Sequence, residues 1–347
     1  MIAQRPREPG ASVHLERVEY DPAWWRRTIA GHSDVEVYHT PEWLEFLAAS
    51  QRAEPVVALV RYDGREAGHF VGAVVRRFGI RILGSPLSGW NTQCMGFLLS
   101  NGVDRRTAAK ALVSFAFRDL GCLHLELGDR HLDVGEMVGG PYLATTGSTR
   151  LIDLRPAETA IFGQMRPRTR TSVRQALRMG LIAEEATDAE FIDEYYAQLS
   201  EVFGRQGLAP TYGADRVRQL VHALAPTGYL LRMRVRSPDG VTLATSLSVG
   251  YGSRAVLWGV ASFRDRGKGP PNELLHWETL RRWHSRGALT YDLGGGGAYK
   301  ANYGGTEVET VRFTQSRYPF LRHGRTVARQ LFKSRQRMLR LARLDRL

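Results

Sequence analysis

One octapeptide pattern occurs twice in this 347-residue chain, and it constrains the fold more than any other feature. Gly121-Cys-Leu-His-Leu-Glu126-Leu-Gly128 and Gly287-Ala-Leu-Thr-Tyr-Asp292-Leu-Gly294 both read G-x-L-x-x-acid-L-G. Any helix closed by a glycine and followed by a buried strand gives such a pattern, so the match needs support from its surroundings. That support lies upstream, where each copy is preceded by two apolar or alternating runs flanking an Asp-Gly hairpin signal. The runs are Pro55–Arg61 and Ala67–Arg76 around Asp63-Gly64, then Tyr229–Arg236 and Thr242–Tyr251 around Asp239-Gly240.

The remaining elements fall in the same order in both halves. A strand at Val13–Val18 and helical patterns at Pro22–Ala30 and Thr40–Ser50 precede the first hairpin. A helix at Arg105–Leu120 and a strand at Leu123–Leu127 follow it. The second half starts with a strand at Arg150–Leu154 and helices at Arg170–Met179, Ala189–Phe203 and Ala214–Leu224. It continues past the hairpin with a strand at Ala255–Ala261, a helix at Asn272–Arg286 and a strand at Leu289–Leu293. The expectation is an α/β (α+β) protein of two similar βααβββαβ units, each a mixed sheet flanked by helices. The units are expected at residues 1–147 and 148–316, with the turn-rich stretch 139–148 as the boundary. Residues 317–347 are set apart as a basic amphipathic helix.

Charge supports that last division. The formal net charge is +13, but nine arginines and Lys333 against Asp345 leave the segment from Arg317 onward at +9 and the rest at only +4. Val327, Leu331, Met338 and Leu341 fall near one side of a helix amid arginines, the pattern of a surface-lying helix, which suggests peripheral contact with an anionic membrane. Docking of that helix onto the protein itself stands beside this reading. No apolar run reaches the length of a membrane span, and the first fourteen residues lack a signal-peptide core, so a cytoplasmic protein, in part membrane-associated, is expected. Cys94 and Cys122 make no metal-ligand spacing and are expected as buried thiols; no metal is implied.

Two segments carry chemistry. Arg264-Asp-Arg-Gly267-Lys-Gly269 joins a strand to a helix, with Pro270, Pro271 and Asn272 opening that helix, so backbone amides there can face an anion. The spacing R-x-x-G-x-G resembles the pyrophosphate loop of GNAT acetyltransferases. Beyond it, Pro271–Gly295 followed by Tyr299-Lys300-Ala-Asn-Tyr303-Gly304 resembles the C-terminal half of the Fem-type family, which includes aminoacyl-tRNA-dependent transferases of peptidoglycan bridges and CelD/BioF-like GNAT acyltransferases of the cell envelope. The basic stretch Arg166–Leu181 is similar to that family's basic helix. The resemblance is good over about Leu151–Val311 and extends to the first half in layout only.

That resemblance implies two tandem GNAT-like units and an N-acyltransferase that joins an activated aminoacyl or acyl group to an amine, with no bound cofactor. Lys300 is then the candidate for stabilising the transition-state charge, and Asp292 a candidate for orienting the amine or accepting its proton, although Glu126 at the same place in the first repeat speaks equally for a structural role. Donor binding is assigned to Arg264, Gly267, Gly269 and Asn272, together with Arg170, Arg174 and Arg178, which share one helix face. Tyr299 and Tyr303, and from the first unit Trp90 and Asn91, are candidates for the acceptor cleft; packing is the alternative for each. The basic helix favours aminoacyl-tRNA as donor, the glycine loop favours acyl-CoA, and no feature points to DNA. A rival of another class is a non-catalytic adaptor that binds RNA or an anionic membrane through its tail. His276 and His284 are read as structural.

Overall fold

The computed structural model describes residues 12–137, 139–263 and 269–321. The chain forms two compact units. One comprises the chain up to Thr145 together with Val311–Leu321, and the other includes Thr146–Thr310. Segment 311–316, expected in the second unit, therefore returns to the first. Arg264, Gly267 and the tail beyond Leu321 lie outside the described residues.

The first unit is built from β1 (Val13–Val18), α1 (Pro22–Ile29), α2 (Pro41–Gln51), β2 (Glu54–Tyr62), β3 (Arg65–Arg77), β4 (Ile80–Ser85), β5 (Gly96–Leu99), α3 (Arg105–Ser114) and β6 (His124–Leu127). Local chemistry sets the boundaries. Thr40 caps α2 by accepting from the Trp43 amide, with Pro41 in the first turn. Asp63 and Gly64 both take positive φ, 49° and 78°, so β2 and β3 are joined by the tight turn that matches their twist. The helix expected to run to Leu120 is α-helical only to Ser114 and continues as a π-helical turn over Phe115–Asp119.

The second unit contains β7 (Leu143–Asp153), whose first three residues belong to the first unit, then α4 (Glu158–Gln164), α5 (Pro167–Arg178), β8 (Ile182–Glu185), α6 (Glu190–Arg205) and α7 (Ala214–Leu224). These are followed by β9 (Leu230–Arg236), β10 (Thr242–Tyr251), β11 (Arg254–Ser262), α8 (Pro271–Ser285), β12 (Thr290–Asp292) and the first five residues of β13 (Thr306–Ser316). Side chains alternate across the sheet: Ala244 enters the apolar core shared with α5 and α8, whereas the Thr245 hydroxyl donates to Gln198 of α6, 2.6 Å away. Among the described residues, no helix is long and apolar enough to cross a membrane.

The strand order within each unit verifies the repeat. In the first it is β1-β2-β3-β4-β6 closed by β13; in the second, β8-β9-β10-β11-β12 closed by β7. Both are antiparallel except for one parallel pair, β4 with β6 and β11 with β12. Both octapeptides lie at the entry to the second strand of that pair. Gly121 and Gly287 stop the preceding helices at φ of 63° and 82°; after α8, Gly287 donates to His284 and Ala288 to Trp283, the paired bonds of a glycine helix stop.

The closing strand of the first unit therefore comes from the far end of the chain. Phe313, paired with Leu127 and fully buried, sits in the first unit's core with Leu125, Phe115 and Tyr142. Removing its ring leaves a cavity inside a core that β13 joins from about 190 residues away, as the His124–Ser316 hydrogen bond records. Phe313→Ala is expected to cost about 3–5 kcal/mol in urea unfolding, whereas a surface position of β13 such as Glu309 would tolerate alanine.

Candidate functional site

The parallel strands β11 and β12 pair only from Arg254 with Thr290 to Val256 with Asp292. There they part: β11 runs on to Ser262, while the chain after β12 turns away through Leu293 into four glycines. Ligands in open α/β sheets bind beyond the carboxyl ends of parallel strands, where such a parting opens space.

Asp292 closes β12 and is 2% exposed. One carboxylate oxygen accepts from the Gly294 amide at 2.7 Å and from the Thr149 hydroxyl of β7. Gly294, Gly296 and Gly297 take φ of 73°, 72° and 78°, which side-chain-bearing residues rarely adopt, so the tight exit depends on their being glycine. The following helical turn, Ala298–Tyr303, folds Lys300 back over this loop. Its ammonium donates to the carbonyls of Gly294 at 3.1 Å and Gly295 at 2.8 Å. Of three ammonium donors, one remains for a ligand. Partial burial lowers the Lys300 pKa, and the charge of Asp292 opposes that shift.

Around this loop lies a cleft of about 370 Å³ with Thr149, Arg150, Arg166, Lys300 and Glu307 in its walls. Arg150 donates to the Gly305 carbonyl at 2.9 Å and meets Glu307 at 3.3 Å. Arg166 caps α5, its amide bonded to the Asn302 carbonyl and its side chain exposed. Three cations against one carboxylate make the cleft attractive to an anion or to developing negative charge. Beneath it, Tyr303 is buried and its ring contacts that of His276 on α8 at 4.3 Å, while Tyr299 is 45% exposed.

The other expected residues are more dispersed. Asn272 ties the start of α8 to the end of β11 through Ser262, and Gly269 holds φ of 112° before that helix. Arg170 is committed within the fold, donating to the carbonyls of Gly163 and Met165 at the end of α4. Arg174 lies over the Phe162 ring, and Arg178 bonds back to the Arg174 carbonyl, both side chains staying exposed. Trp90 is buried in the first unit and Asn91, at φ of 54°, is exposed beside it. The structure thus brings Lys300, Asp292, Tyr299 and Tyr303 together. Thr149, Arg150 and Glu307, which join them, carry no local sequence signal, since Thr149 and Asp292 meet across 143 residues.

His276 gives the site a pH dependence. Burial, aided by the Lys300 charge, pushes its pKa down to about 4. A neutral imidazole is favoured in the fold, so its contribution is complete above the unfolded value near 6.5 and is lost as pH falls from there to about 4. The loss is about 3 kcal/mol at most. Urea unfolding between pH 7 and pH 4 is expected to show a shallower fall for His276→Phe than for the parent chain; parallel curves would discard this assignment.

Residues 163–303 match the family model of the acetyltransferase (GNAT) domain. A comparison with curated proteins yields no match. Among solved structures, FemX is similar with a TM-score of 0.69 at 13% identity, over 87% of this chain and 97% of that one. A tandem GNAT protein from the clavulanic acid biosynthesis pathway follows at 0.54 and 13% identity, covering 89% and 99%. L-PGS from Bacillus licheniformis is similar at 0.53 and 12% identity, covering 89% and 96%. At these identities the structures speak to fold. Residues 163–303 of this chain are thus similar to a GNAT acetyltransferase domain, and the chain shares the fold of FemX and of that tandem GNAT protein.

Proposed function

We propose that the second unit transfers an aminoacyl group from aminoacyl-tRNA to an amine of a cell-envelope or secondary-metabolite precursor, with the reacting carbonyl beside Lys300. The observation that carries this reading is the cationic cleft around the glycine loop that follows β12, where two of the three Lys300 donors are used by the carbonyls of Gly294 and Gly295. In this reaction the amine nitrogen attacks the ester carbon, the C–N bond forms, and the bond to the tRNA 3′ oxygen breaks as that oxygen takes the amine proton. Lys300 answers the negative charge that develops on the carbonyl oxygen. Asp292 acts as a positioning group: it fixes Gly294, whose carbonyl in turn orients Lys300. The half-exposed Tyr299, next to Lys300 in the chain, is proposed to meet the acyl group, with the buried Tyr303 packed beneath it. Since charged tRNA is cytoplasmic, the reaction takes place there.

The exposed side chains of Arg166, Arg168, Arg174 and Arg178 support a polyanionic donor. Acyl-CoA is the second reading, favoured by Gly269 and the N-terminus of α8 at the end of β11. The two differ in the number of phosphates held, and hence in salt response. Transfer from charged tRNA is expected to weaken by orders of magnitude through the physiological salt range, and changing Arg166, Arg174 and Arg178 to Gln flattens the log–log slope by about three units. Robust transfer from acyl-CoA in RNase-treated protein, with a shallow salt response, rejects the tRNA donor.

The role of Lys300 is tested separately with whichever donor is used. Lys300→Ala is expected to lower kcat by roughly a hundredfold with an unchanged far-ultraviolet spectrum, and an unaltered kcat removes the lysine from the mechanism. If mass spectrometry finds no increment on any amine with either donor, the chain is instead a binding protein.

A further inference from the structure

The β3–β4 hairpin of the first unit breaks three local rules at one point. Its two turn residues are Phe78 and Gly79, at φ of 51° and 79°. The second suits glycine, but the first places a bulky aromatic where Asn or Gly sits without strain. The Phe78 ring is 98% exposed. In the second pair behind the turn, Arg76 lies across the strands from Arg81, an arrangement of like charges that weakens a hairpin. Local conflicts of this kind concentrate where a sequence serves function rather than stability.

Next to this tip lies a cleft of about 650 Å³ lined by Arg52, Arg76 and Arg77, with Glu54, Ser50 and Val74 among the remaining wall residues. Glu54 is engaged by Arg17 at 2.7 Å and approached by Arg81 at 3.8 Å. Arg17 and Arg81 thus answer the one carboxylate in the wall, and Arg52, Arg76 and Arg77 add three further cations to the cleft beside the exposed ring.

We propose that this hairpin tip docks the protein on an anionic lipid bilayer, with Phe78 entering the interface and Arg52, Arg76 and Arg77 meeting headgroup phosphates. Charge and depth both support this occupant. The guanidinium groups stand one or two residues behind the apex, or beside it on α2's end, so they reach phosphate level when the ring passes below it. Readers of single-stranded nucleic acid instead line a groove with several aromatic platforms, and among the described residues no aromatic lines this cleft. The proposal concerns the first unit and does not depend on the transfer chemistry of the second.

The test uses the full chain with Phe78→Cys carrying an environment-sensitive fluorophore. Cys94 and Cys122 are buried, which confines labelling to the tip. Emission is expected to brighten and shift to the blue with phosphatidylglycerol vesicles and to stay unchanged with phosphatidylcholine vesicles. In co-sedimentation, Phe78→Asn is expected to weaken vesicle binding by roughly tenfold or more, and Arg76→Gln or Arg77→Gln by about fivefold each. Because Asn accepts the positive φ, Phe78→Asn should melt no lower than the parent, which separates docking from folding. A probe silent to vesicles, or undiminished binding by Phe78→Asn, overturns the proposal, and a probe that responds to an RNA oligonucleotide but not to vesicles makes this a nucleic-acid face instead.

Discussion

A carboxylate buried at the end of a parallel strand organises the second unit. Asp292 is hardly exposed, and in a low-dielectric setting its charge has to be answered by donors and cations held close to it. The Gly294 amide and Thr149 hydroxyl do so directly, and the Lys300 ammonium does so through space. Each answer fixes part of the site: Thr149 registers β7 against β12, Gly294 sets the direction in which the chain leaves the sheet, and Lys300 closes the glycine loop from above. The catalytic proposal for Lys300 rests on this arrangement, because a lysine held by two carbonyls is positioned before any ligand arrives and loses little freedom when one does.

The first unit uses an acid at the same place for a different end. Glu126 accepts from the Ser88 amide at 2.8 Å and faces Arg312 at 3.6 Å, so it secures the loop after β4 and the closing strand β13. Where β11 leads through a glycine-containing connection straight into α8, β4 leads through that loop into β5, which pairs with the part of β3 that β4 has left. The space beside the parallel strands is filled by the protein's own backbone. Repetition of the fold therefore does not entail repetition of the chemistry, and this asymmetry is why the proposal puts donor handling in the second unit.

Elements whose pattern is local were legible in the sequence. The Asp-Gly hairpins, the amphipathic helices and the glycine stops before β6 and β12 each rest on residues within a turn or two of one another, and each is found where the pattern puts it. Strands β4, β5, β8 and β13 and helix α4 escaped. β13 shows why: Thr-Glu-Val-Glu-Thr-Val is mostly polar and partly exposed, and the strand is held by partners distant in the chain, β7 and, over Phe313–Ser316, β6. In the site, Lys300 and Asp292 stood out because they are close in sequence, but Arg150, Thr149 and Glu307 reach them only through tertiary folding. Arg170 failed in the opposite way. Helical spacing put it on a face with Arg174 and Arg178, but spacing carries no information about the free carbonyls at the end of α4 that engage it.

The origin of the closing strands bears on how such a chain folds. β6 of the first unit has one neighbour, β4, made before it and the other, the Phe313–Ser316 part of β13, made after Thr146–Thr310 of the second unit. Loop-closure entropy grows only slowly with length, so the long connection costs little at equilibrium, but contacts of such separation form late. Until they form, β6 presents an open edge, and the core residues Leu125 and Leu127 lack the Phe313 ring that completes their packing. The second unit has no such delay, because β7 precedes it and every strand of its sheet lies within one continuous stretch. Physical order of assembly thus runs against chain order: the second unit, with the candidate site, can be complete while the first still waits for the strand that follows it.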